Sequence, residues 1–159
     1  MKLFVNKRHE TGRQDIALNE LKRQFHRLGM RFTSQRRRIF ELFENCPRGL
    51  TITEAVATLR DEGVGEVTIY RTVKALQEIG RLRWVHDQNG EHRFVACTSE
   101  HSHPLVCKRC GKVTEFETCE LSLIEKLLSI QTGFTIEGHH LEFYGVCPNC
   151  NPVTEGKNH

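Results

Sequence analysis

Two Cys-x-x-Cys pairs, Cys107-Lys-Arg-Cys110 and Cys147-Pro-Asn-Cys150, constrain this 159-residue chain more than any other feature. A Cys-x-x-Cys turn aims two sulfurs at one centre, and Zn²⁺ accepts four thiolates in a tetrahedron. The 36 residues between Cys110 and Cys147 exceed the spacing of a simple zinc ribbon. A strand and a helix must therefore fit between the halves of one structural Zn²⁺ site that staples a small unit. The rival is a redox dithiol, which opens a helix in a βαβ unit. Here each pair follows a strand-like segment, and Gly111 turns the chain after the first. Cys46 and Cys119 read as small packing residues. The chain has no apolar run of about 18 residues that could span a bilayer. The first fifteen residues lack an apolar stretch of secretory type, so a cytoplasmic location with reduced thiols is expected.

Periodicity divides the chain. Leu18, Leu21, Phe25 and Leu28 form one helical stripe, closed by Gly29. A helix over about 34–45 follows, capped by Thr33 or Ser34 and closed by Pro47. Thr51 and Glu54 have the form of a capping box opening a helix to about Arg60. Thr68 reads as the cap of a helix to Ile79, whose buried stripe is Ile69, Val73, Leu76 and Ile79. The period then shortens to two. Leu82, Trp84 and His86 alternate, Asn89-Gly90 is a hairpin turn, and His92 to Cys97 alternate again. The helices 51–60 and 68–79 resemble a helix-turn-helix, and the hairpin would be its wing. The fold class is α+β: an N-terminal winged helix-turn-helix domain over 20–98, then a small α/β domain over 99–151. Residues 1–19 would be an extension and 152–159 a disordered tail. In the second unit a helix is expected over 120–132, and 135–146 reads mostly as a strand.

Charge follows the same division. Residues 1–98 carry 18 Lys and Arg against 12 Asp and Glu, whereas residues 99–159 carry 5 against 8. A basic first part is drawn to polyanions, nucleic acid first. Tyr70 and Arg71 lie off the apolar stripe of the 68–79 helix, where they would meet base edges or phosphates. Arg31 and Arg36 would meet phosphates, and Thr68 completes the candidate DNA-contact set.

A second group of metal ligands gathers where the units join: His86, Cys97, His101, His103 and Glu115. With Asn89-Gly90 as a two-residue turn, 86 pairs with 93, which puts Cys97 on the face of the residue opposite His86. His92 falls on the other face from Cys97 and is left out. Thiolate, imidazole and carboxylate around four-coordinate metal suit zinc better than iron.

In this order, GMRFTSQRRRIFELF, EVTIYRTVKALQEIGRL, the His-x-His before LVCKRCGKVTEFE, and GFTIEGHHLEFYGVCPNC resemble the ferric uptake regulator family over roughly residues 20–150. The resemblance implies a winged-helix DNA-binding domain, a dimerisation domain, and a metal-loaded homodimer that binds double-stranded operator DNA as a repressor. His86, Cys97, a histidine of the 101/103 pair and Glu115 are similar to the sensing ligands of the zinc uptake regulator branch. Departures count against iron and peroxide sensing: Ser102 and Pro104 interrupt the histidine run, Leu50 stands near a sensing histidine position, and Val95 replaces a carboxylate. Fe²⁺ or Mn²⁺ is the alternative regulatory metal. A further family site would use His101, His103, a helix carboxylate and His139. Its usual carboxylate falls at Ser122, so Glu120 or Glu125 would have to substitute. Two other classes compete: a zinc-stapled interaction module that senses nothing, and an enzyme. The chain lacks His-Glu-x-x-His and any phosphate-cradling glycine loop, which argues against catalysis.

Overall fold

The computed structural model describes residues 18–87, 89–97, 102–117 and 121–151. The order is α1 (18–27), α2 (Ser34–Glu44), α3 (Ile52–Leu59), a 3₁₀ turn (Arg60–Glu62) and α4 (Glu66–Glu78). The strands β1 (Leu82–His86), β2 (His92–Ala96), β3 (His103–Cys107) and β4 (Val113–Phe116) follow, then α5 (Ser122–Thr132) and β5 (Phe143–Gly145). No helix among the described residues is long and apolar enough to cross a membrane.

Local chemistry sets the helix starts. Thr33 caps α2 through the amide of Arg36. Thr51 and Glu54 close the capping box reciprocally, at 3.1 Å and 2.8 Å. Each bond satisfies an amide that the helix itself leaves open. Thr51→Ala should lower stability by about 1 kcal/mol, read as a denaturant-midpoint shift at unchanged slope. The expected cap at Thr68 is corrected. Helix α4 begins at Glu66 on Gly65, whose carbonyl accepts the amides of Thr68 and Ile69. Thr68 lies inside the first turn, and its carbonyl accepts the Thr72 hydroxyl at 2.6 Å.

The apolar stripes of the four helices meet in one core. Leu21, Phe25, Ile39, Phe43, Leu59, Ile69 and Leu76 are essentially sealed from solvent. Leu82, Phe94 and Ala96 of the hairpin close that core from one side. The other hairpin face supplies Val85 and Val95 to a smaller core with Val106 and Val113 of the second unit. The Val113 amide also donates to the Pro47 carbonyl at 2.9 Å.

The hairpin register differs from the expectation by one residue. His86 lies opposite His92, and Val85 opposite Arg93. The cause is Asp87. Its Oδ1 accepts the amides of Asn89 and Glu91, while its own amide donates to Glu91. The turn therefore closes between Asp87 and Glu91 rather than across the Asn-Gly pair, an Asx-type closure overriding the two-residue turn. A one-residue slip moves each side chain to the opposite face. His86 thus shares a face with His92, and Cys97 lies on the other.

The second sheet has the order β4-β3-β5, with β3 antiparallel to β4 and parallel to β5. The expected long strand over 135–146 shrinks to Phe143–Gly145. Before it, His139, His140 and Glu142 are engaged through their side chains.

Candidate metal centres and DNA-facing helix

Cys107, Cys110, Cys147 and Cys150 bring their sulfurs within 4.8 Å of one another. The first pair ends β3, and the second follows β5, the parallel neighbour of β3. The pairing register thus delivers both knuckles to one end of the sheet. The Cys110 and Cys147 sulfurs are 3.7 Å apart. A tetrahedron with Zn–S bonds of about 2.3 Å has edges of about 3.8 Å, so this separation fits two ligands of one zinc. The Cys147 amide donates to Cys107 Sγ at 3.3 Å. With the amides of Cys110 and Arg109, it pulls the Cys107 thiol down to about 6. Hydrogen bonds with the neighbouring thiols, Cys110 first, push Cys150 up to about 12. Four crowded sulfurs resist simultaneous ionisation, and a divalent cation removes that obstacle.

The described members of the expected sensing set fall in three places. Cys97 is buried, and loss of hydration pushes its thiol up to about 12, with Arg83 opposing and a hydrogen bond to Glu115 reinforcing. Ser102 donates to Glu115 at 2.8 Å, and its carbonyl accepts from the Arg83 guanidinium. His103 turns elsewhere. Its Nε2 lies 3.4 Å from Nε2 of His139, whose Nδ1 is 2.9 Å from Glu125. Zn–N bonds of about 2.1 Å give a tetrahedral edge near 3.4 Å, so the two imidazoles fit one metal. Glu125 lies at the far side of His139, where a carboxylate orients a ligating ring rather than binding the metal. These groups line a cavity of about 400 Å³ with Arg83 and Ser102. His101 and Glu120 lie outside the described residues.

His86 is corrected most. It faces away from Cys97, toward Glu142 and the indole of Trp84. Sequence reasoning missed Glu142, His140 and His92 at this place. The doublet His139-His140 held the signal: in an extended segment 139 and 141 point one way, 140 and 142 the other.

On α4, Ile69, Thr72, Val73, Ala75 and Leu76 are buried, while Val67 and Tyr70 are 64% and 54% exposed. Arg71 is also exposed, so the helix presents an aromatic and a cation outward. Arg31 is exposed as well. Arg36 is held inward: its guanidinium lies 5.9 Å over the Phe25 ring and donates to the Arg31 carbonyl.

Residues 27–144 match the ferric uptake regulator family. The chain belongs to that family of metal-responsive transcription regulators. It is 32% identical to the ferric uptake regulation protein of Neisseria meningitidis over 77% of its length and 87% of that protein. It is 31% identical to the peroxide operon regulator of Bacillus subtilis, covering 86% and 97%. Its fold also matches a zinc uptake regulator solved with zinc and DNA, with a TM-score of 0.70, 23% identity and coverage of 87% and 95%. The family consists of regulators, not enzymes. The α+β winged-helix expectation agrees with these neighbours.

Proposed function

We propose that this chain is a zinc-responsive transcriptional repressor that binds double-stranded operator DNA as a homodimer, in the cytoplasm, and controls metal-uptake genes. The observation that carries zinc is the buried Cys97 thiol hydrogen-bonded to Glu115 where the hairpin meets the second unit. A buried thiol beside a carboxylate, once it gives up its proton to a metal, selects a borderline metal, and zinc before iron. Within this reading, Cys97, Glu115 and a histidine of the 101/103 pair hold the signal metal, and His103 with His139 holds a further one. The four-cysteine site holds a zinc that remains bound throughout.

In this reading residues 20–98 bind DNA and 99–151 dimerise and bind metal, with 1–19 an extension and 152–159 a tail. Helix α5 supports the dimer. None of its described residues is buried, and Leu123, Ile124, Leu127, Leu128 and Ile130 are all exposed. An apolar face of that kind seeks a partner. Metal at the joint favours the arrangement in which two α4 helices enter successive major grooves, and shifts the equilibrium only by its differential affinity.

The test is duplex binding with zinc or iron added back after mild chelation. Zinc should restore binding at lower free concentration than iron, and Cys97→Ser should abolish that preference while retaining the four-cysteine zinc. A Cys97→Ser protein that answers zinc like the unaltered chain would refute the assignment. Arg71→Ala should weaken operator binding about 10- to 100-fold at fixed salt, as loss of a base contact would.

A further inference from the structure

The wing carries a group of side chains that neither the four-cysteine site nor the Cys97 region uses. Glu142 is the centre of it, with its side chain only 8% exposed. Its Oε1 accepts the backbone amide of His86 at 2.8 Å, and its Oε2 lies 3.1 Å from His86 Nδ1. The same Oε2 lies 4.0 Å from Nε2 of His140. The Tyr144 hydroxyl also bonds this carboxylate. Around them, the indole of Trp84 stacks on His140 at 4.4 Å and on His92 at 4.9 Å. The His92 ring is also 4.9 Å from that of His86.

We infer that His86, His140 and Glu142 form a divalent transition-metal site, with His92 within reach, that joins the wing to the segment leading into β5. The chemistry fits such a cation. Two imidazoles and one carboxylate suit zinc, cobalt or nickel and leave an open position for water. The carboxylate is already fixed through Oε1, which leaves Oε2 facing both rings. A tetrahedral edge for such ligands is about 3.4 Å. The two separations from Oε2, 3.1 Å and 4.0 Å, bracket it. Closing the wider one requires His140 to move toward Glu142. The His140 side chain is 45% exposed and stands outside helix and strand, so the ring can turn at the cost of its stack on Trp84. Because His86 belongs to β1 and its partners precede β5, bound metal would tie the DNA-binding unit to the second unit. The tie is separate from the Cys97 region, on the opposite face of the hairpin.

The chain contains one tryptophan, and it lies against this group. Co²⁺ bound there quenches its fluorescence at contact range. The experiment titrates Co²⁺ into full-length protein that keeps its four-cysteine zinc after mild chelation. Three variants accompany it: His140→Ala, Glu142→Gln, and the double variant His103→Ala with His139→Ala. One equivalent of Co²⁺ should quench Trp84 in the unaltered chain and in the double variant. It should do so at least about tenfold more weakly in His140→Ala and Glu142→Gln. Zinc retention and far-ultraviolet circular dichroism establish that each variant is folded, and because His140 stacks on Trp84 the quenching of each variant is referred to its own metal-free emission. Equal quenching in His140→Ala and in the unaltered chain overturns the site, as does quenching lost only in the double variant. The group is then a hydrogen-bonded clasp, and the metal binds elsewhere.

Discussion

Cys147→Ser should cost more than any other single change. The variant should lose its chelator-resistant zinc, and the second unit should lose its cooperative melt. Half of the clamp follows β3 and half follows β5, and the β3–β5 pairing spans only three residues a side. So short a ladder has little stability of its own, and α5 contributes no buried side chain among the described residues. Structural zinc sites contribute folding energy outright, about 10–16 kcal/mol apparent in small zinc-binding peptides, against about 5–15 kcal/mol for a whole domain. Elemental analysis with a thermal scan checks this. A variant that bound no zinc yet melted at the original temperature would show the clamp to be dispensable. Because ligation requires thiolates, acid should also release the metal, with protons and zinc competing for the same sulfurs.

Phe43→Ala should destabilise the first unit by about 3–5 kcal/mol. Phe43 is fully buried, and its ring meets Phe94 of β2 edge to face, with centroids 6.5 Å apart. The truncation leaves a cavity where α2 supports the hairpin, so it should also weaken operator binding. Tyr70 and Arg71, which stand outside the core, should be unaffected in a direct sense. The denaturant midpoint should fall while zinc content stays the same, which separates this variant from Cys147→Ser. A loss below about 1 kcal/mol would mean that the core closes over the gap.

Both variants test features that could be read in the chain before its structure. The Thr51–Glu54 box, the stripes that fill the helical core and the two cysteine pairs are local signals. Each reports a chemical need that its own neighbours satisfy. The register of the hairpin was not legible from Asn89-Gly90, because the turn closes through the side chain of Asp87. That single residue moved His86 off the Cys97 face and took the expected sensing set apart. The place of Glu125 was half legible. A carboxylate was required near His139, but only the structure puts it on Nδ1, opposite the imidazole of His103. The strand expected over 135–146 failed because alternation describes an extended chain equally well whether or not a neighbour pairs with it. Before Phe143, Glu142 and His139 make their connections through their side chains.

Each face of the hairpin packs into a core, one through Leu82, Phe94 and Ala96 and one through Val85 and Val95 against Val106 and Val113. Mechanically it is a beam clamped along its length rather than a flap hinged at its root. A displacement of the second unit acts on the wing through Val85 and Val95 and on the helical core through Leu82, Phe94 and Ala96. The buried side of α4 shares that core, so the packing gives the displacement a route to the helix as the far end of the lever.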